Sequence, residues 1–128
     1  MKYLIDTHVL LWIVNDPDKL SKNVRDIYLN EENEILVSIA SIWEMAIKIS
    51  FGKLKLASSL SEFVEEQIIG NKMQVFNLNL QSIYRLESLP YHHRDPFDRI
   101  IISQAICDDI PIITHDKEFC KYDISCIS

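Results

Sequence analysis

The sequence contains few of the residues that form tight turns. Only 2 Gly and 4 Pro occur among its 128 residues, too few for a sandwich or barrel built of many short strands. Its 3 Cys contain no C-x-x-C spacing, so neither a disulfide framework nor a thiolate zinc site is indicated. We therefore expect a helix-rich protein in a reducing, cytoplasmic environment.

The N-terminal region lacks the long apolar run of a membrane helix. Asp6 and His8 interrupt it, and its longest clean apolar segment, residues 9–14, is far shorter than the ~20 residues that span a bilayer. No small-residue cleavage site follows it. We expect neither a signal peptide nor a membrane partner.

Positive charge is also scarce. The 13 Lys and Arg stand against 19 Asp and Glu, which gives a formal net charge of -6 at pH 7. A protein that coats nucleic acid electrostatically needs the opposite balance. Acidic residues gathered at one point can instead recruit a metal ion, so the positions of the acids decide between these possibilities.

Strand-like apolar segments alternate with segments of helical periodicity along the chain. Strands are predicted at residues 2–5, 34–37, 73–76, 111–114 and 123–127, and helices at 9–14, 22–29, 38–51, 60–69, 80–89 and 97–106. Gly52 and Gly70 are placed to end the third and fourth helices. The alternation predicts an α/β fold, a single domain over 1–128 with a mainly parallel sheet covered on both faces.

Four acids fall where this fold would gather them at one edge of the sheet. Asp6 ends the first strand, and Asp116 follows the fourth by two residues. Glu44 lies about two turns into the helix after the second strand, and Asp98 lies in the first turn of the helix near Pro96. Ligands of such sheets bind beyond the carboxyl ends of the strands, so these carboxylates can converge there.

Each acid also has a purely structural explanation. Asp6 and Asp116 can cap the turns that follow them, and Asp98 is favourable near a helix N-terminus. Glu44 and Lys48 form an i, i+4 pair. Convergence favours a hard cation instead, because Mg²⁺ prefers carboxylate oxygens and can activate a water molecule for attack on a phosphodiester.

Four strings of the sequence resemble a known family. They are LIDTHVLLW (4–12), SIASIWEMAIKISFGKL (38–54), LPYHHRDPFDRIIISQA (89–105) and ITHDKEF (113–119). They are similar to the PIN-domain nucleases, and most of all to the VapC-like toxins of bacterial toxin–antitoxin pairs. The resemblance covers nearly the whole chain, with the strings in the expected order.

This resemblance implies a three-layer α/β/α fold, an Mg²⁺- or Mn²⁺-dependent endoribonuclease activity on RNA, and a cognate antitoxin that occupies the active site. By motif position it implies that Asp6, Glu44, Asp98 and Asp116 bind the metal, with Asp95 in a supporting or capping role. No family acid is substituted. The family likeness, together with the apolar N-terminal region, also predicts a homodimer.

Several neighbours of the acids are candidate supporting or substrate-contacting residues. Thr7 and Ser41 can orient the acids beside them, although both can equally serve helix initiation. Single-stranded RNA is bound by positive charge and a stacking aromatic such as Tyr91. The candidates for that charge, which a solvated surface explains equally well, are Lys48, Lys53, His92, His93, Arg94 and Arg99.

Two other functions use an acidic pocket at the same place. An aspartyl-phosphate phosphatase has the motif D-x-D-x-T after its first strand, but His8 replaces the second acid here. A receiver-like signalling module binds Mg²⁺ and needs a Lys after the late strand, whereas none occurs there until Lys117. Both alternatives fit the sequence less well than a nuclease.

Overall fold

The computed structural model describes all 128 residues and contains five strands and six α-helices. The strands are β1 (Lys2–Ile5), β2 (Glu34–Ser38), β3 (Gln74–Phe76), β4 (Ile112–Ile113) and β5 (Cys126–Ile127). The helices are α1 (Thr7–Asn15), α2 (Lys22–Leu29), α3 (Ile39–Ser50), α4 (Leu60–Phe63), α5 (Leu80–Arg85) and α6 (Pro96–Asp108). None of these helices has the length and apolar character needed to cross a membrane.

The five strands form one sheet in the order β3-β2-β1-β4-β5, and every neighbouring pair is parallel. Ile5 at the end of β1 pairs with Val37 of β2 on one side and with Ile113 of β4 on the other. The carboxyl ends of the three central strands therefore meet at one edge. Receiver-type folds have the order 2-1-3-4-5, so this order rules out the receiver-like alternative.

Alternate residues of the strands face two separate hydrophobic clusters. Ile5, Val37 and Ile113 belong to a cluster of 13 buried residues that also contains residues of α1 to α4. Leu4, Leu36 and Ile112 belong to a second cluster of 11 buried residues, which is formed largely with α6. Helices thus cover both faces of the sheet, and the predicted three-layer α/β/α fold is confirmed.

The segment after Ser59 differs from its predicted form. The chain is helical over the predicted residues 60–69, but α4 passes into a π-helical turn at Val64–Ile68. Gly70 as the helix stop is wrong, because the backbone reverses only at Lys72, whose φ is 65°. The wider turn brings Phe63 and Ile68, five residues apart, onto one face, and both are buried. Gly52, in contrast, follows the end of α3 with a φ of 72°, as predicted.

A buried polar bridge joins β2 to α6 and the loop after β3. The Ser38 hydroxyl donates to Gln104 Oε1, and Gln104 Nε2 donates to the Asn77 carbonyl at 3.3 Å. Ser38 and Gln104 are almost completely buried. Water therefore cannot replace either partner if the other is removed.

We expect Gln104→Met to lower the free energy of unfolding by about 1–3 kcal/mol, since a side chain of similar size leaves the buried Ser38 O–H without an acceptor. Urea unfolding measures the change. Gln81→Met is the matched control, because Gln81 is exposed on α5 and its replacement should change stability by less than about 0.5 kcal/mol. Equal losses of stability in Gln104→Met and Gln81→Met would contradict a stabilising role for the Gln104 hydrogen bonds.

Candidate active site

Asp6 lies where β1 ends and α1 begins, and its carboxylate is buried. Asp6 Oδ1 accepts the Val9 N–H at 2.7 Å, which caps α1, and Oδ2 accepts the Thr114 hydroxyl. Thr114 Oγ1 also accepts the Asp116 N–H at 3.0 Å. Burial raises the pKa of Asp6, although these hydrogen bonds act in the opposite direction. Thr114 therefore ties the ends of two central strands together.

Glu44 reaches the same edge from the second turn of α3. Thr7 donates its hydroxyl to Glu44 Oε1 at 2.8 Å, and Ser41 Oγ lies 2.9 Å from the same threonine oxygen. Lys48 Nζ lies 3.0 Å from Glu44 Oε2, so the i, i+4 ion pair is present. The Glu44 side chain is only 6% exposed whereas that of Lys48 is 42% exposed. Glu44 is thus a buried acid held in place by the hydrogen bond from Thr7, and its ion-pair partner Lys48 is partly exposed to solvent.

Asp98 and Asp116 are joined by a histidine. His93 Nε2 lies 2.9 Å from Asp116 Oδ2 and 3.1 Å from Asp98 Oδ2. Asp116 Oδ1 accepts the Glu118 N–H at 2.9 Å and so caps the turn that follows it. The ligand atoms of His93, Asp98 and Asp116 all lie within 4.8 Å of one another. The structure therefore brings the late acids of the sequence into direct proximity.

The charges of the acids oppose one another. The pKa of Asp98 is raised to about 7, first by burial and then by the negative charges of Asp95, Glu44 and Asp6, while His93 acts in the opposite direction. Five carboxylates share this region, and the basic side chains paired with them are Lys48 and His93. The site therefore carries an excess of negative charge that an ion could compensate.

Asp95 occupies the N-cap of α6. Its Oδ1 accepts the N–H groups of Phe97 at 2.9 Å and Asp98 at 3.0 Å, and Pro96 begins the helix. This is the capping role that the D-P-F-D spacing predicts. The cap sets the first turn of α6 and thereby the direction of Asp98.

The candidate substrate-contacting residues occupy different environments. Lys48 and His93 contact the acids, whereas Lys53, His92 and Arg94 are exposed and form no hydrogen bond or ion pair with them. Arg99 fits a substrate contact least. Its buried guanidinium donates to the carbonyls of Leu89, Pro90 and His93 and lies 3.9 Å from the centre of the Tyr91 ring. Arg99 therefore holds the loop before α6.

A cleft of about 230 Å³ opens beside the acids and is lined by Asp6, His8, Val9, Trp12, His115 and Asp116. The Trp12 and His115 rings lie 5.1 Å apart on its wall. A larger cleft of about 400 Å³ lies at the amino ends of β2 and β3, away from the converging carboxylates. Volume alone thus does not locate the site, because the smaller cleft is the one that lies beside the converging carboxylates.

The family model of the PIN domain matches residues 3–125. The chain belongs to the PIN domain family. No curated protein sequence matches it.

Solved structures share the PIN fold of this chain over nearly their full length. VapBC2 from Rickettsia felis, bound to a DNA fragment from its promoter, is 16% identical with a TM-score of 0.73, covering 99% of this chain and 98% of that one. VapBC-1 from nontypeable Haemophilus influenzae is 20% identical with a TM-score of 0.66, covering 100% and 98%. DNA-bound VapBC from Salmonella typhimurium is 18% identical with a TM-score of 0.69, covering 99% and 97%. At these identities the likeness shows the fold.

The donor set of this PIN domain fits a hard divalent cation. Its acids offer carboxylate oxygens, each with two lone pairs, so the capping and hydrogen bonds described above leave acceptor sites free. Asp98 Oδ1 takes part in no hydrogen bond. Burial and the neighbouring acids raise the pKa of Asp98, and a bound cation would act against both effects. Asp6, Glu44, Asp98 and Asp116 are the residues that would hold such an ion.

Sequence reasoning missed one polar residue of the site and misjudged the environment of another. Thr114 was predicted only as the end of a strand, although a hydroxyl two residues before Asp116 is a usable signal at a strand end. His93 was predicted as a substrate contact, and its link to two acids required the folded loop. The contact of Thr114 with Asp6 and that of His93 with Asp116 cannot be deduced from spacing, because they join residues 108 and 23 positions apart.

Proposed function

We propose that this PIN domain is an Mg²⁺- or Mn²⁺-dependent endoribonuclease. The observation that carries the proposal is the convergence of Asp6, Glu44, Asp98 and Asp116 from four segments onto one edge of a parallel sheet. When bound there, a divalent ion supplies positive charge that polarises a water molecule and a phosphodiester. Hydrolysis then breaks the bond to the 3′ oxygen, leaving 5′-phosphate and 3′-hydroxyl ends.

The residues of the chain have separate tasks in this proposal. The four acids provide the oxygen ligands. Thr7 and Thr114 donate their hydroxyls to Glu44 and Asp6, and Ser41 contacts the Thr7 hydroxyl. Lys48, with its exposed ammonium group, can contact an RNA phosphate beside Glu44. Lys53, His92 and Arg94 are exposed and form no hydrogen bond or ion pair with the acids. They remain proposed contacts for RNA that lies farther from the acids.

We infer that the chain acts as the toxin of a toxin–antitoxin pair in the cytoplasm. Its four sequence strings resemble VapC-like toxins, and the solved structures that share its fold include several VapBC assemblies. A cognate antitoxin that covers the acids would hold the nuclease inactive. A homodimer is part of the same proposal, and the exposed side chains of Trp43 and Phe51, 53% and 74% accessible, provide apolar surface for such contacts.

The deciding experiment is cleavage of RNA by the purified chain in Mg²⁺ or Mn²⁺, with and without EDTA. We expect EDTA to lower the cleavage rate at least about tenfold, because the carboxylates alone cannot stabilise the charge that develops on phosphate. Excess Mn²⁺ should restore the rate. Sequencing the products identifies the ends and the preferred RNA sequence.

Three outcomes would contradict parts of this proposal. Cleavage that persists in EDTA would reject the role of the metal ion, and cleavage of DNA alone would reject an RNA substrate. Rapid Asp6-dependent turnover of a small phosphomonoester would favour an aspartyl-phosphate phosphatase. The uncut substrate incubated with buffer and metal ion is the control for spontaneous hydrolysis.

A further inference from the structure

His93 is held in one orientation by several elements. Its backbone N–H donates to the Tyr122 hydroxyl at 2.9 Å, and its carbonyl accepts from the Arg99 guanidinium at 3.3 Å. Its ring meets the edge of Phe119 at 90°, with centroids 5.4 Å apart. Its side chain is 13% exposed. The imidazole therefore has little freedom to turn.

The two ring nitrogens of His93 have different partners. Nδ1 accepts the backbone N–H of Asp95 at 3.1 Å. A nitrogen that accepts must present a lone pair, so the hydrogen of the neutral ring lies on Nε2. Nε2 faces the Oδ2 atoms of Asp98 and Asp116 and donates to them. If Nε2 instead bound a metal ion, the hydrogen would move to Nδ1, against the N–H of Asp95.

We propose that His93 is a positioning residue that donates to Asp98 and Asp116 and thereby orients the remaining lone pairs of both carboxylates toward a cation, without itself binding the ion or the substrate. This proposal rests on the proposed metal-dependent function. The Nε2–H draws both Oδ2 atoms toward one point, while Asp98 Oδ1 has no hydrogen-bond partner. Hydrogen bonds of this kind orient metal-binding carboxylates, and their removal weakens metal affinity.

Asp95 extends the same chain of contacts. Its side chain sets the first turn of α6, and its backbone N–H sets the tautomer of His93. The two late acids are therefore oriented from both sides, Asp98 through the helix cap and both through the histidine. In the H-H-R-D-P-F-D string, His93 and the N-cap residue Asp95 lie two positions apart, and both act on Asp98.

Two variants distinguish the hydrogen bond that His93 donates from the space that its side chain fills. The Gln side chain is long enough to place an amide N–H near the position of Nε2, whereas the Asn side chain reaches only the position of Nδ1. We expect His93→Asn to weaken Mn²⁺ binding, measured by calorimetry, by about 10- to 100-fold. His93→Gln should bind within about threefold of the unaltered chain, and urea unfolding of both variants checks that they fold.

Two spectroscopic measurements on the unaltered chain complete the test. ¹⁵N NMR should show the hydrogen of His93 on Nε2. Pulsed EPR of bound Mn²⁺ should show no nitrogen coupling from His93, so the spectra of the unaltered chain and of His93→Gln should show the same nitrogen couplings. Nitrogen coupling from His93, a hydrogen on Nδ1, or equal Mn²⁺ affinity of His93→Asn and the unaltered chain would overturn the proposal while leaving the nuclease function intact. If the unaltered chain binds no Mn²⁺, both proposals fail.

Discussion

Asp98→Asn should lower the rate of RNA cleavage at least about 100-fold, which corresponds to about 2.7 kcal/mol of lost transition-state stabilisation. The reason is that Asp98 lies centrally among the acids. Its Oδ2 lies beside His93, and its pKa is raised by burial and then by the charges of Asp95, Glu44 and Asp6. Asn preserves the shape of the side chain but removes one negative charge and one strong ligand. Single-turnover cleavage at saturating Mn²⁺ measures the effect.

Asp108→Asn is the matched control because Asp108 is exposed at the other end of the same helix. Its cleavage rate should stay within about twofold of the unaltered chain. Urea unfolding of Asp98→Asn in the absence of metal should show no loss of stability, since the substitution relieves repulsion. Full activity of Asp98→Asn would reject the proposed site, and a large loss in Asp108→Asn would show that the assay reports folding.

Ionisation of Asp98 should lower the stability of the metal-free protein as the pH rises from about 4 to about 7. The pKa of Asp98 is about 7 in the folded chain and near the ordinary ~3.9 when unfolded. Between these values the folded state binds more protons, so the free energy of unfolding falls with rising pH. Proton binding by Asp98 adds on the order of 2–4 kcal/mol to the free energy of unfolding. This stabilisation is fully present below pH 4 and is lost as the pH rises through 7. The pKa of Asp6, which burial raises, changes stability in the same direction.

Thermal unfolding in EDTA at several pH values isolates this effect when the unaltered chain is compared with Asp98→Asn. The stability difference between the two should grow in favour of Asn as the pH approaches 8, because Asn carries no proton equilibrium. Added Mn²⁺ should raise the Tm of the unaltered chain more at pH 8 than at pH 5. A stability difference that does not change with pH would contradict the raised pKa of Asp98.

The convergence of the acids was predictable because it depends on strand ends. Asp6 and Asp116 lie just beyond predicted strands, and a parallel sheet places such residues at one edge. Asp95 was recognisable from the Pro that follows it. The structural and the metal-binding explanations of these acids proved compatible, since Asp6 and Asp116 each use Oδ1 for a cap and direct Oδ2 elsewhere.

Other contacts depend on tertiary structure that periodicity does not encode. Arg99 was grouped with surface charges, yet three carbonyls of an irregular loop bind its guanidinium. Gly70 looked like a helix stop, but the burial of Phe63 and Ile68 favours a wider turn that ends later. The loop before α6 has no repeating pattern, so the position of His93 between two acids follows only from the folded chain.

The hydrogen bond from Thr114 to Asp6 joins residues 108 positions apart, and this separation has a consequence for synthesis. A ribosome produces Asp6 108 residues before Thr114, so a growing chain cannot complete the acidic edge until β4 and the turn after it have emerged. Incomplete chains would therefore carry no assembled nuclease site. Under the proposed ribonuclease function, an incomplete chain would be unable to cleave the message that is still being translated.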